Sequence, residues 1–364
     1  MVGKMEYCAR ATRFEYVREF INEMLQRLDI SAEKQEACIY LYGVSTFSSM
    51  LAMRRVQNSE LAAIAGLLHY YYFYQTGIRE FPGPNSAEAV RPFLRDTNIF
   101  TNDELIIILR AIFYQEDRSQ VHGPYEEIVK DAVELHMYFQ NVDNTCQPLK
   151  TQRIRKLLEE LAIPNELDRE GEGIPDKLAP RNNGDKRRFL ANISEELAGQ
   201  HIVGIPEDKR YQEICQYWPD SDIHKVLKSN WCAAFVYHCC RKAGIRIPIR
   251  YPNGICRFAG VGAWLEWAQL PETGFFYYDG QEGFMPQRGD IVIYDKLLSN
   301  DSHDHIGIVL ACEDKQILVA EGNKNNENYS SVFRRSRQHC ILGYIRIEND
   351  YQYSFNGYYN PVIS

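Results

Sequence analysis

The chain changes its hydrophobic rhythm part-way along, and that change limits what it can fold into. Through roughly the first 140 residues apolar side chains recur at helical spacing, with no useful run of strict alternation. Tyr16, Val17, Phe20, Ile21, Met24, Leu25 and Leu28 mark one face of a helix over 15–28. A second helix is expected over 37–53. Asn58 and Ser59, just before Glu60, supply an N-cap for a third, running to Tyr74. Pro82-Gly83-Pro84 reads as a loop, with a helix opening at Ser86. Thr101 with Glu104 forms a capping box, and Pro124 sits in the first turn of a helix reaching about Phe139.

Residues 142–200 change character. After a charged helix over 150–161 comes a stretch rich in Pro, Gly and charge, which reads as a linker or long surface loop. Residues 188–200 return to a helical pattern. From about 205 the pattern is α+β. Helices are expected over 208–218 and 232–243, the second stopped by Gly244. Short apolar strands follow over 290–294, 305–310, 316–320 and 342–347. Helices first and sequential strands afterwards predict an antiparallel sheet packed on helices. The organisation is therefore an all-α domain over 1–145, a connecting segment over 146–204, an α+β domain over 205–350 and a C-terminal tail over 351–364.

Composition narrows the function classes. Forty-one Lys and Arg against 49 Asp and Glu give a net charge of −8, so a broad basic footprint for nucleic acid is missing. Arg334, Arg335 and Arg337 form a local basic run that reads as a solvated strand edge or loop. No run approaches the ~18 apolar residues of a membrane span. The first residues carry no apolar signal core, so the chain is expected to be made in the cytoplasm, either acting on an internal substrate or delivered outside by lysis or a secretion machine. Ten scattered cysteines, none in a C-x-x-C pair, argue against a disulfide scaffold and a structural zinc site.

One cysteine stands apart. Cys232, in Asn230-Trp231-Cys232-Ala233-Ala234-Phe235-Val236, falls where a helix should begin. The dipole and free N–H groups of a helix start favour a thiolate and can hold an oxyanion. A thiolate nucleophile needs a base, and the base needs an orienting group. His305 opens the strand His305-Ile306-Gly307-Ile308-Val309-Leu310. Glu321-Gly322-Asn323 closes the next one, where antiparallel pairing brings a polar group back toward the histidine. His303 and His305 as a metal pair lack an evident third ligand. Cys239, Cys240, Trp264 and Trp267 read as helix packing, and Phe275 to Tyr278 as a strand.

These residues carry a family resemblance. Residues 205–350 resemble the CHAP family, the cysteine- and histidine-dependent amidohydrolases and peptidases of the papain-like superfamily. Five segments match in order: the nucleophile motif at Cys232, Pro286 to Val292 (P-x-x-GDIV), the histidine strand at His305, the polar motif at Glu321 to Asn323, and the closing Gly343-Tyr344-Ile345-Arg346-Ile347. Ile347 replaces the usual proline of the last. The resemblance implies hydrolysis of an amide bond, often in peptidoglycan peptides. It implies Cys232 as nucleophile, His305 as general base and then acid, Glu321 as orienter of His305, and Asn323 as second orienter or oxyanion-side donor. No cofactor is implied.

The helical half resembles the HD phosphohydrolase family around Leu61 to His69, but with its metal ligands substituted. The His-Asp pair reads His69-Tyr70. The early ligand position holds Tyr40, a later histidine position holds Gln115, and Asp131 matches the late aspartate. Tyrosine and glutamine do not replace imidazole and carboxylate as ligands. His69 and Asp131 are thus remnants, no metal is expected, and the helical domain is left for binding a protein partner, a second copy or a regulatory ligand. The aromatic run Tyr70 to Tyr74 fills the former metal pocket or binds a flat ligand.

Three readings follow. The first is a cysteine amidase or endopeptidase on peptide or peptidoglycan; a transferase or deamidase shares its acyl-enzyme chemistry. The second is a metal phosphohydrolase acting on nucleotides. The third is an interaction protein without enzyme activity.

Overall fold

A computed structural model describes residues 12–140, 152–163 and 185–363. The chain divides into two compact units, Met1–Leu178 with Ile363–Ser364, and Ala179–Val362. No helix among the described residues is long and apolar enough to cross a membrane.

In the first unit the described residues form eight helices. The elements are α1 (Arg13–Gln26), α2 (Ser31–Arg54), α3 (Ser59–Leu68), α4 (Tyr71–Thr76), α5 (Pro82–Asp96), α6 (Asn102–Phe113), α7 (Pro124–Gln140) and α8 (Gln152–Glu160). Three starts follow from local chemistry. Thr12 with Glu15 and Thr101 with Glu104 each close a capping box, and Asn58 Oδ1 accepts from the amides of Glu60 and Leu61. The helix expected over Leu61 to Tyr74 is broken at His69 and Tyr70. There the Gln115 amide donates to the His69 carbonyl at 2.6 Å and takes the place of a helical bond. The expected loop at Pro82 is instead the first turn of α5. Proline has no N–H to lose at that position, and its fixed φ suits a helix start. The core gathers α2, α7 and α8 around Val44, Leu51, Ile128, Leu135, Ile154 and Leu158.

The second unit joins helices to one antiparallel sheet. Its helices are α9 (Lys186–Gly199), α10 (Lys209–Cys215), α11 (Ile223–Val226), α12 (Cys232–Lys242) and α13 (Val261–Ala268). Its strands are β1 (Phe276–Tyr278), β2 (Ile291–Tyr294), β3 (His305–Cys312), β4 (Gln316–Glu321), β5 (Ser331–Ser336) and β6 (Ile341–Ile345), in the order β1-β6-β2-β3-β4-β5. Helix α9, within the expected connecting stretch, packs on β3, β4 and β5. In the expected tail, Tyr351 packs its ring edge-on against Trp267 and Phe275, and Tyr359 is buried.

The Gly289-Asp290 pair sets the start of β2. Gly289 takes a positive φ of 92°. The buried Asp290 carboxylate accepts from Gln287 N at 2.8 Å and pairs with Arg346 just beyond β6. Two registers then place the site. Tyr294 lies opposite His305 across β2 and β3, and Ile308 opposite Ala320 across β3 and β4, which sets Gly307 opposite Glu321.

Candidate active site

Cys232 is the first residue of α12 and is buried. Residues Cys232 to Cys240 are buried without a break, so α12 is an interior helix rather than an amphipathic one. Burial pushes the Cys239 and Cys240 thiols well up, which fits packing roles. The N-cap, Trp231, makes no side-chain capping bond. The first-turn amides beside the thiol are therefore not taken up by a capping side chain.

The segment leading into Cys232 is braced from the far end of β4. Asn323, fully buried and in the left-handed region (φ 50°), donates from Nδ2 to the Ser229 carbonyl at 2.7 Å. Its Oδ1 accepts from the Asn328 amide at 3.1 Å, and Asn328 Oδ1 accepts from the Trp231 indole at 3.1 Å. Gly322 permits this approach: a Cβ there would stand 2.4 Å from Phe235 Cβ. Asn328, with Gly204, Lys225 and Lys228, also lines a cavity of about 510 Å³ beside this segment.

His305 opens β3, fully buried. Its Nε2 pairs with Glu321 Oε2 at 2.8 Å, and its ring stacks on Tyr294 with centroids 5.8 Å apart. Nδ1 has no hydrogen-bond partner, and the Cys232 sulfur is close enough for its charge to act on the ring. Burial alone would lower the His305 pKa. The charges of Glu321 and Cys232 outweigh it and hold the imidazole well above the ordinary histidine range. Burial would likewise raise Glu321, but His305 and Arg335 hold its carboxyl well below the usual range.

Cys232, His305 and Glu321 therefore come together as one set. Asn323 bonds to the Ser229 carbonyl and to Asn326 and Asn328, so it braces the segment leading into Cys232.

Arg335 is the residue that sequence reasoning missed. The basic run was expected to be solvated, and Arg334 is: it is half exposed and pairs with Glu313. Arg335 instead points inward. Its Nε donates to Glu321 Oε1 and its Nη2 to Oε2, both at 2.7 Å, and Nη2 also reaches Asn325 Oδ1 at 2.9 Å. Its guanidinium lies over the rings of Phe333 and Tyr294, at 4.5 and 5.0 Å. Arg337 is also mostly covered and pairs with Asp279. Period-two alternation from Phe333 to Arg335 would have shown the inward face, had β5 been recognised as a strand.

In the first unit His69 and Asp131 sit in different surroundings. His69 is fully buried; its Nδ1 meets the Gly66 carbonyl at 2.7 Å, and its ring adjoins those of Tyr40 and Tyr70. Burial holds its pKa down, at about 4. Tyr40 also meets His136 edge-on. Asp131 is engaged by Arg55 at 2.6 Å and Arg153 at 2.5 Å. Among the described residues no group of three or more His, Cys, Asp or Glu side chains is placed to hold a metal ion.

Residues 224–323 match the family model of the CHAP domain. The matched stretch begins in α11, contains Cys232, His305 and Glu321, and ends at Asn323. A CHAP domain implies hydrolase activity of the amidase or peptidase kind. Arg335 lies beyond the matched stretch, as does the helical unit. Comparison with curated proteins and with solved structures returned no match.

Proposed function

We propose that the CHAP region is a cysteine amide hydrolase of papain-like design acting on peptidoglycan peptides. One observation carries this reading. The buried His305 imidazole pairs through Nε2 with the Glu321 carboxylate and lies close enough to the Cys232 sulfur, at the start of α12, to feel its charge. Nε2 is committed to Glu321, which leaves Nδ1 for the thiol.

The chemistry follows from those placements. The Cys232 thiolate attacks the scissile carbonyl and forms a C–S bond, while the carbonyl π electrons move to oxygen. First-turn amides of α12 are the donors available to that oxyanion. His305, charged at this stage, gives its Nδ1 proton to the leaving nitrogen as the C–N bond breaks, and a thioester remains. The neutral imidazole then takes a proton from water. The hydroxide adds to the thioester, and the C–S bond breaks with return of the thiolate. Glu321 fixes the ring and stabilises its charged form. Asn323 positions Cys232 through Ser229. The helical unit is, in this reading, an HD-like domain without catalysis that binds or regulates.

The test is release of new amines from purified peptidoglycan by the reduced full chain, beside Cys232→Ala, with products identified by mass spectrometry. Release that requires Cys232 supports the assignment and identifies the bond. No release, with selective labelling of Cys232 by a thiol probe, moves the substrate away from the cell wall. Absence of both release and labelling overturns the enzyme reading.

A further inference from the structure

Four groups that carry charge in the proposed mechanism meet in the interior of the second unit, and they alternate in sign. They are the Cys232 thiolate, the His305 imidazolium, the Glu321 carboxylate and the Arg335 guanidinium. Glu321 is shared: Oε2 serves both His305 Nε2 and Arg335 Nη2, while Oε1 serves Arg335 Nε. Arg335 is itself fixed, by Asn325 and by the faces of Phe333 and Tyr294. A planar fork closing on both oxygens sets the plane of a carboxylate as well as its charge.

We propose that Arg335 is a positioning residue that acts through Glu321 to set the pH range over which the Cys232–His305 pair is charged and reactive. This rests on the cysteine hydrolase reading. An unopposed buried carboxylate beside His305 would hold its proton too tightly, and a general acid must surrender that proton to the leaving nitrogen. Arg335 balances the carboxylate. It keeps Glu321 ionised and aimed while weakening its hold on the imidazolium proton. The groups facing this pair are Cys232 from α12, Tyr294 from β2, Glu321 from β4 and Arg335 from β5. On α9, Arg187 pairs with Asp290, Glu195 with Arg288, and Lys186 donates to the Tyr351 carbonyl.

The sign is unambiguous, because removing a cation raises the pKa of every neighbouring group. The experiment follows alkylation of Cys232 by iodoacetamide against pH, in the full reduced chain, with the labelled site read by mass spectrometry. This readout needs no substrate. Wild type should show two limbs, formation of the thiolate–imidazolium pair and loss of the imidazolium proton, and the second should vanish in His305→Gln. Arg335→Met should move both limbs to higher pH by about one pH unit or more. Arg335→Lys keeps a cation but gives up the fork, and should move them less, in the same direction. In a Glu321→Gln background Arg335→Met should lose most of its effect.

A folded Arg335→Met protein with the wild-type profile overturns the inference, as does an undiminished shift in the Glu321→Gln background. If Arg335→Met does not fold, a wild-type profile in Arg335→Lys overturns it instead. A wild-type profile with no dependence on His305 overturns the hydrolase reading, and this inference with it. A His305-dependent profile that ignores Arg335 overturns this inference alone.

Discussion

Gly307 lies opposite Glu321 across β3 and β4, and a Cβ at Gly307 would stand 2.7 Å from Glu321 Cγ. The missing side chain is the space through which the carboxylate leans along β3 to reach His305. Gly307→Ala should therefore displace Glu321 without removing any catalytic group. A displacement of this kind costs on the order of a hundredfold in turnover. Steady-state kinetics beside a thermal melt check this. A full-activity Gly307→Ala enzyme would refute the account of how Glu321 is placed.

Cys232→Ala and His305→Ala are each expected to abolish nearly all amide hydrolysis. The double variant should be no slower than either single one, because the two groups act as a unit. Amine release measured on all three proteins tests this, and a His305→Ala enzyme with wild-type turnover would sink the assignment.

Glu321→Ala should do more damage to stability than to chemistry alone. It leaves Arg335 and His305 without their shared partner in the interior, a loss of roughly 3–5 kcal/mol. All four tryptophans, Trp218, Trp231, Trp264 and Trp267, belong to the second unit, so their fluorescence reports its unfolding. Urea titration followed by that signal should show the loss. A Glu321→Ala midpoint equal to wild type would contradict the pairing.

The same signal gives a pH prediction. The folded-state pKa of Glu321 is depressed, so its contribution is complete above its unfolded value of about 4.3 and fades as pH falls toward the folded value. The folded-state pKa of His305 is raised, so its contribution is complete below about 6.5 and fades as pH rises toward the folded value. The second unit should thus be most stable between those two pH values. His305→Gln should flatten the decline on the alkaline side. An unchanged alkaline slope in that variant would remove His305 as its cause.

Asn323→Ala should strip the Ser229 carbonyl of its Nδ2 donor and put alanine at a positive φ. Loss of this part-buried hydrogen bond costs about 0.5–1.5 kcal/mol. Activity should fall by less than in His305→Ala, and alkylation of Cys232 should retain its dependence on His305. Loss of that dependence would instead make Asn323 a direct partner of the imidazole.

Local chemistry was enough to read much of this protein from its residues in order. The Asn58 cap and the Thr101 capping box set helix starts, apolar runs marked β2, β3, β4 and β6, and the Cys232 helix start was visible because a polar segment precedes an apolar helix. Such features depend on neighbours within a few residues, and neighbours are what a sequence displays. The break at His69 was not visible, because the group that takes its carbonyl, Gln115, is 46 residues away. Arg335 was not visible for a related reason: an arginine is solvated or buried according to what faces it, and what faces it is set by β4–β5 pairing. The residues themselves determined which groups could do acyl chemistry and in what order they come. Only the tertiary structure decided that one carboxylate serves both His305 and Arg335, since strand register fixes which side chains share a face and a glycine opens the path between them.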